Sequence, residues 1–564
     1  MLLFFRSFRF YYLYFKKQWI NEMGKKKAEH QKPSRTAPQR RKRKARAAKA
    51  KPVAVKQLEI SDEHLLGYLN ENRVGDAKLY CRLHRDTVIY VKYWERFLIW
   101  GGHHWIEDDY EAAFQRIEEV CELYLRLAEH KQMEADEADK EDKPKIQSLV
   151  DAALRRVNLL RDTNGQGKNS CLWCAASVIR WWFLPKHIDQ RHYVKACPNG
   201  VIDLRTGELR PGRPEEYILN AIVTEYDQAL LDKDDPCPET NKFLLSSMDG
   251  DQELVDFIWR LLGYGLVTER RDHIFTIFWG EHGRNGKDTL IKLVTHVLGQ
   301  TLSGDVPVEM FLQMQQTRNS SAPSPDVLAL RGMCLAWINE AEEGQRFALA
   351  KLKKLTGGGY VTARGLQDKQ QTTWLQTHLP IMTTNELPKA KADDAAFWAR
   401  AVLVKWPLSF VEEPQQPYER PADKDLYEKI CAEAKGVLAR MVLGCMEYLR
   451  DGLKIPDKVK AWTREQRASW DDVGLFITDW CEQEPHQDNP DAYATRISST
   501  DLHEAFCIWY ARNRDKRFSI SAKKFAEMLN KKDIPYKRSN GSWRLGIRLN
   551  TEGENALADY RAEK

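Results

Sequence analysis

Residues 274–290 read Ile-Phe-Thr-Ile-Phe-Trp-Gly-Glu-His-Gly-Arg-Asn-Gly-Lys-Asp-Thr-Leu. An apolar run of strand type enters a glycine-rich turn that closes on Gly-Lys, and Leu290 to Leu298 continues as an apolar helical pattern. This is the wiring of a phosphate-binding loop. Gly280, Gly283 and Gly286 take positive φ readily and let backbone N–H groups approach a triphosphate, while Lys287 sets a cation against its β and γ oxygens. The expected ATP-binding set is therefore Gly280, Gly283, Arg284, Asn285, Gly286, Lys287, Asp288 and Thr289. Two details depart from G-x-x-x-x-G-K-[ST]: the first glycine sits one residue early, and Asp288 stands where the magnesium-binding hydroxyl is usual, with Thr289 next. Magnesium then falls to Thr289, to Asp288 itself, or to either through water. A tight surface turn between a strand and a helix is the competing reading of the same residues.

Working outward, 564 residues exceed one ordinary core, so several folded units are expected. The 11 Cys are scattered, which argues for reduced thiols rather than a disulfide framework, and Cys171 and Cys174 lack a second pair at zinc spacing. Net charge is +6, yet residues 1–56 hold 18 Lys or Arg and two acids, so a basic tail precedes an acidic body. That tail suits phosphate backbones, and a disordered solubilising segment is the equal alternative. Arg6, Arg9, Lys16 and Lys17 interrupt the apolar start, which excludes an 18-residue membrane span there. The start codon is Met1 or Met23.

The expected organisation is a basic tail over 1–58, an α+β N-terminal region over 59–265, an α/β nucleotide-binding core over 266–410, a helical cap over 411–465, and a C-terminal domain over 466–564. In the N-terminal region Thr87 to Val91 and Trp94 to Trp100 read as strands, Asn199 to Leu209 as a hairpin, and the acidic run Glu134 to Asp142 as a solvated loop or helix end. At the C-terminal end, Leu502, Phe506, Trp509 and Tyr510 mark one amphipathic helix. Phe525, Met528 and Leu529 mark another, behind the cap candidates Ser519 and Ser521. A basic hairpin with Asn540-Gly541 near its tip follows. Helix, helix, hairpin is the order of a winged helix, in which Lys523, Lys524, Lys531, Lys532, Lys537, Arg538 and Arg544 contact DNA phosphates; docking on a protein is the alternative.

About fifty residues beyond the loop, Met333 to Asn339 is an apolar strand ending in Glu340, a Walker B pattern that sets a carboxylate to orient or deprotonate the water attacking the γ-phosphate. A third strand, Leu379 to Thr384, ends at Asn385, whose amide suits holding that water or sensing the γ-phosphate. Arg400 follows the next turn and is the candidate arginine finger, reaching a neighbouring subunit's nucleotide. Lys287, Glu340, Asn385 and Arg400 are the expected catalytic set. An ordinary strand end at Glu340 and a surface ion pair at Arg400 are the bland alternatives.

In order and wording these stretches resemble superfamily 3 helicases of the phage and plasmid primase-helicase family, related to the poxvirus primase-helicases. The similar segments are Gly-Arg-Asn-Gly-Lys (283–287), Asn-Glu-Ala-Glu-Glu-Gly-Gln (339–345), Lys-Leu-Thr-Gly-Gly (354–358), Thr-Ala-Arg (362–364), Thr-Thr-Asn-Glu-Leu-Pro (383–388) and Phe-Trp-Ala-Arg (397–400). The resemblance covers roughly residues 75–550. It implies an AAA+-like core assembling as a hexameric ring around single-stranded and forked DNA, with ATP and magnesium as cofactors, in the cytoplasm of a bacterial host or phage-infected cell. A separate primase or replication initiator is a further implied partner. The segment between Walker B and Asn385 resembles the family's DNA-contacting hairpin, with Arg364 and Lys369 as its channel residues or as part of a solvated hairpin. No paired-carboxylate or zinc-ribbon signature for priming stands before residue 265. The expected function is an ATP-dependent replicative DNA helicase; a nucleotide-switched DNA-binding initiator or loader, and a bifunctional primase-helicase, are the alternatives.

Overall fold

The computed structural model describes residues 60–563 apart from 93, 110, 163, 178–181, 185–186, 314–322, 340–344, 367–370, 488 and 515–519. The basic segment 1–58, Glu340 and Lys369 thus lie outside the described residues.

Helices Asp62–Asn70, Asn72–His84, Ile117–Glu137, Lys143–Leu160 and Gln166–Ser177 gather around one core. In the longest, Ile117, Val120, Cys121, Tyr124, Leu127 and Ala128 are buried at three- and four-residue spacing, the stripe a 3.6-residue period requires. Beneath that stripe Asp76 and Arg156 pair in the interior, and the Tyr124 hydroxyl donates to Asp76 Oδ1 at 3.2 Å. The acidic run 134–142 forms the end of this helix and the turn after it, almost wholly exposed. Two three-stranded antiparallel sheets accompany the helices. One joins Val88–Val91, Arg96–Trp100 and Trp105–Glu107; the other, Val194–Cys197, Gly200–Asp203 and Leu209–Arg210, contains the hairpin expected over 199–209.

The central element is a wholly parallel five-stranded sheet. Its strands are β1 Phe275–Trp279, β2 Ser303–Val306, β3 Leu335–Asn339, β4 Leu379–Thr384 and β5 Ala401–Lys405, in the spatial order β5-β1-β4-β3-β2. A parallel sheet is covered on both sides, so its strands read as unbroken apolar runs rather than alternations. The side-chain period of two still shows in where they go. Phe278, Leu335, Trp337, Leu379, Ile381, Val402 and Val404 enter one core, while Phe275, Ile277, Ala336, Ile338, Met382 and Leu403 enter the core on the opposite face.

The first of these cores is closed by helices Pro238–Ser247, Gln252–Leu266, Lys287–Leu298 and Ala434–Asp451. The sequence assigns the first two to the N-terminal region and the last to a cap, but packing unites all four with the sheet. Helices 252–266 and 434–451 cross where both carry glycine: a Cβ on Gly263 would stand 2.2 Å from Cys445 N, and one on Gly444 2.3 Å from Trp259 O.

Beyond helix Asp457–Ser469, helices Asp472–Trp480, Ser499–Asn513 and Ala522–Asn530 bury Phe476, Phe506, Trp509 and Phe525 together. Ser521 caps the third of these, accepting from Lys524 N–H; Ser519 lies outside the described residues. Strands Tyr536–Arg538 and Ser542–Leu545 form the expected hairpin, with Asn540 and Gly541 at positive φ in its turn, and Arg496–Ser498 pairs on its other side. One expectation fails here. Arg544 is buried at 2 % exposure, donating to Asn530 Oδ1, Ile534 O and Ala526 O, so it ties down the end of helix 522–530 rather than meeting a phosphate. Lys531 and Lys532 are ion-paired to Asp393 and Asp471.

Candidate functional site

Parallel strands deliver their C-terminal ends to one edge, which is where open α/β sheets bind ligands. At that edge β1 gives way at Gly280 to a turn with Gly283 at φ 73°, Arg284 at 47° and Gly286 at 89°, and helix Lys287–Leu298 begins directly after it. Gly286 stands at the N-cap of this helix and, as glycine, offers its first-turn N–H groups no side-chain acceptor of its own. The turn is held from behind. Asn285, 2 % exposed, donates through Nδ2 to Trp406 O at 3.1 Å and Leu408 O at 2.8 Å, and Phe410 N–H donates to Arg284 O at 2.9 Å. His282 stacks on Tyr418 with centroids 3.8 Å apart.

A cavity of about 440 Å³ opens beside this turn, lined by Lys287, Asp288, Ile291, Lys292, Asp305, Asn339, Thr383, Thr384 and Asn385. Lys287 is 7 % exposed; its ammonium donates to Asn385 Oδ1 at 2.8 Å and to Thr384 O at 3.0 Å. Asn385 is fixed in turn by Trp279, whose Nε1–H donates to the Asn385 carbonyl at 3.0 Å. Thr383 donates to Asn339 Oδ1 at 3.2 Å, and Asn339 Nδ2 donates to Asp305 Oδ1 at 3.1 Å. Lys287, Asp288 and Asn385 are thus brought together as the sequence suggested. Gly280, Gly283, Arg284, Asn285 and Gly286 form the turn without lining the cavity, and Thr289, in the helix's first turn, is also outside its lining.

Arg400 stands apart, at the start of β5, with Nη1 donating to Ala396 O at 2.7 Å and no contact to the cavity. Arg364 follows the first strand of the antiparallel pair Tyr360–Ala363 and Thr372–Leu375, a separate hairpin on which Tyr360 and Leu366 are strongly exposed. The residue that sequence reasoning missed is Asp305. Its strand, Ser303–Val306, is short and polar, and only the parallel order carries its end to the same edge as Asn339. A strand directly after the loop's helix was the available signal.

Chemically, the edge offers a buried ammonium, a helix N-terminus and backbone N–H groups suited to an anion, together with carboxylate, hydroxyl and amide oxygens suited to a hard divalent cation.

The family model described as "D5 N terminal like" matches residues 77–248. Among similar proteins, "Putative helicase L207/L206" of Acanthamoeba polyphaga mimivirus is 25 % identical over 424 residues, 73 % of this chain and 43 % of that protein. "Putative helicase 184R" of Invertebrate iridescent virus 6 is 24 % identical, over 68 % of this chain and 41 % of that one. "Putative primase C962R" of African swine fever virus (strain Badajoz 1971 Vero-adapted) is 21 % identical, over 61 % and 36 %. The chain therefore spans less than half the length of these curated relatives. Among solved structures, the apo A form of the NrS-1 C-terminal region is 13 % identical, over 58 % of this chain and 79 % of that one, with a TM-score of 0.36. The domain match and the viral relatives support assignment to the primase-helicase family of superfamily 3 type.

Proposed function

We propose that this chain is the helicase portion of a replicative primase-helicase, an ATP hydrolase that couples turnover to DNA unwinding as a hexameric ring. The observation that carries the reading is Lys287 held at 2.8 Å from Asn385 across the mouth of the glycine turn, with the cavity opening beside them. This pairing supports the reading because an arriving γ-phosphate would take the ammonium from the amide, the exchange expected of a phosphate-binding cation and a sensor amide. Glu340, next along the chain from Asn339, is the acid that activates the attacking water. Arg400, outside its own chain's cavity, acts on the nucleotide of a neighbouring copy.

The carboxylates and hydroxyls around the cavity suit magnesium, with Asp288 on the wall and Thr289 a turn position away; bound there, it neutralises phosphate charge. The C-terminal helices and hairpin act as a winged helix, meeting DNA through Lys523, Lys524, Lys537 and Arg538. Arg364 and Lys369 track a strand in the ring's pore. The viral relatives favour action within an infected cell, and among the described residues no helix is long and apolar enough to cross a membrane.

ATP hydrolysis with and without single-stranded DNA, beside displacement of an annealed strand tailed on either side, tests the proposal. DNA-stimulated hydrolysis and displacement are expected, both abolished in Lys287→Ala. Hydrolysis with no displacement on either substrate overturns the motor and leaves the initiator or loader.

A further inference from the structure

The apolar strand β3 ends in an exposed amide, Asn339, which is hydrogen-bonded to side chains on both neighbouring strands. Thr383 on β4 donates to Asn339 Oδ1, and Asn339 Nδ2 donates to Asp305 Oδ1 on β2, so the contacts cross three neighbouring strands. The carboxylate fixes which end of the amide is oxygen: it can only accept, so Nδ2 faces Asp305 and the Thr383 hydroxyl donates to Oδ1. Only one oxygen of Asp305 is used. Among the described residues Oδ2 of Asp305 and both oxygens of Asp288 accept no hydrogen bond, and both residues line the cavity that Lys287 enters.

We propose that Asp305, oriented by Asn339 and Thr383, supplies with Asp288 the carboxylates for the divalent cation that travels with the nucleotide, so that the acid missing from position 339 is provided by the adjacent strand. This rests on the nucleotide reading above. A small divalent cation is commonly bound by one or two carboxylates plus phosphate oxygens and water, and two carboxylates with neighbouring hydroxyls meet that need. Lys287 and Lys292 line the same cavity, where Lys287 donates to Asn385 Oδ1 and Thr384 O. Asn339 is a positioning residue: it turns Asp305 and does not touch the ion.

The test is binding, not turnover. Affinity for a fluorescent ATP analogue is measured for the full chain in magnesium and in chelator, and bound manganese is followed by its paramagnetic resonance. Magnesium should tighten binding to the natural chain. In Asp305→Asn that gain should fall about 10-fold, with no loss of affinity in chelator, and Asn339→Leu should give a smaller loss of the same kind. Asp305 is exposed and the Asn substitution isosteric, and a matching thermal melt certifies the fold. A magnesium gain within twofold of the natural chain in Asp305→Asn overturns the assignment, as does a natural chain that binds nucleotide equally well in chelator. A natural chain that binds no nucleotide under either condition overturns the nucleotide reading itself.

Discussion

Asn285 offers the most exacting trial of how the glycine turn is built. Its Nδ2 makes two hydrogen bonds, 3.1 Å to Trp406 O and 2.8 Å to Leu408 O, in a setting where 2 % of the residue is exposed. Among the described residues its Oδ1 has no hydrogen-bond partner. Asn285→Ala removes two bonds of about 1 kcal/mol net each and leaves two buried carbonyls unpaired, so a loss of roughly 2–4 kcal/mol is expected. Asn285→Asp keeps the shape yet should be worse, about 3–5 kcal/mol at neutral pH, because a carboxylate then faces two carbonyl oxygens with no donor between them. Urea unfolding followed by tryptophan fluorescence reads the stability of the chain, with Trp406, packed against Phe278 of β1 at 5.5 Å between centroids, one of its 18 reporters. The order is the discriminating result: natural chain, then Ala, then Asp. The Asp variant should recover as pH falls and its carboxyl protonates. Equal stability of Asn and Asp, or an Asp variant that outlasts Ala at pH 7, would refute the inward-facing amide as the anchor of the turn.

Three further outcomes follow from packing and charge. Gly444→Ala places a methyl 2.3 Å from Trp259 O and should cost at least about 1–3 kcal/mol by forcing helices 252–266 and 434–451 apart; a urea midpoint matching the natural chain contradicts that crossing. His378 is buried with Nε2 against Leu355 O at 3.1 Å, and burial, helped by Arg270, pushes its pKa down to about 3. Both states are neutral above the unfolded value near 6.5, so its contribution is intact there. Below that value the unfolded chain takes up a proton the folded one refuses, costing about 1.4 kcal/mol per pH unit. Stability compared at pH 7 and 5 should fall less steeply in His378→Gln, and an unaltered fall contradicts the shift. Arg544→Ala should lower the melting temperature while leaving the salt dependence of DNA binding unchanged, whereas Arg538→Ala should reduce that salt slope by about one and spare the melt. The reverse pattern would mean that Arg544 reaches DNA.

What could be read from the sequence divides along a physical line. β1, β3 and β4 were legible because a strand buried on both faces is apolar throughout, and the glycine turn because its residues follow from local backbone needs. The allegiance of helix 252–266 was not, since nothing local says whether its broad apolar face packs on the preceding region or on a helix at 434–451. Arg544 misled for a related reason: a basic residue in a hairpin looks solvated until the carbonyls at the end of helix 522–530 are seen to surround it. For Asp305 the sequence offers only a short polar strand after the loop's helix; its place beside Asn339 depends on strand order.

The early first glycine, an irregularity when the loop is taken alone, has a cause in the packing. Between Gly280 and Gly286 the turn carries one residue more than the usual spacing, and Asn285 is folded inward against the start of the loop. A Cβ on Gly280 would lie 2.3 Å from Asn285 Oδ1, so the residue closing β1 must be glycine for the amide to occupy that place. The amide then binds the segment after β5 through Trp406 O and Leu408 O, while Gly280 N–H donates to Thr384 O at the end of β4. The turn is thereby joined to both strands that flank β1. Thr384 O also accepts from Lys287, so a single carbonyl couples the first residue of the turn to the ammonium that follows it. Under the proposed function, movement of Lys287 toward an incoming phosphate would release one of the two donors on that carbonyl, at the strand end that carries Asn385.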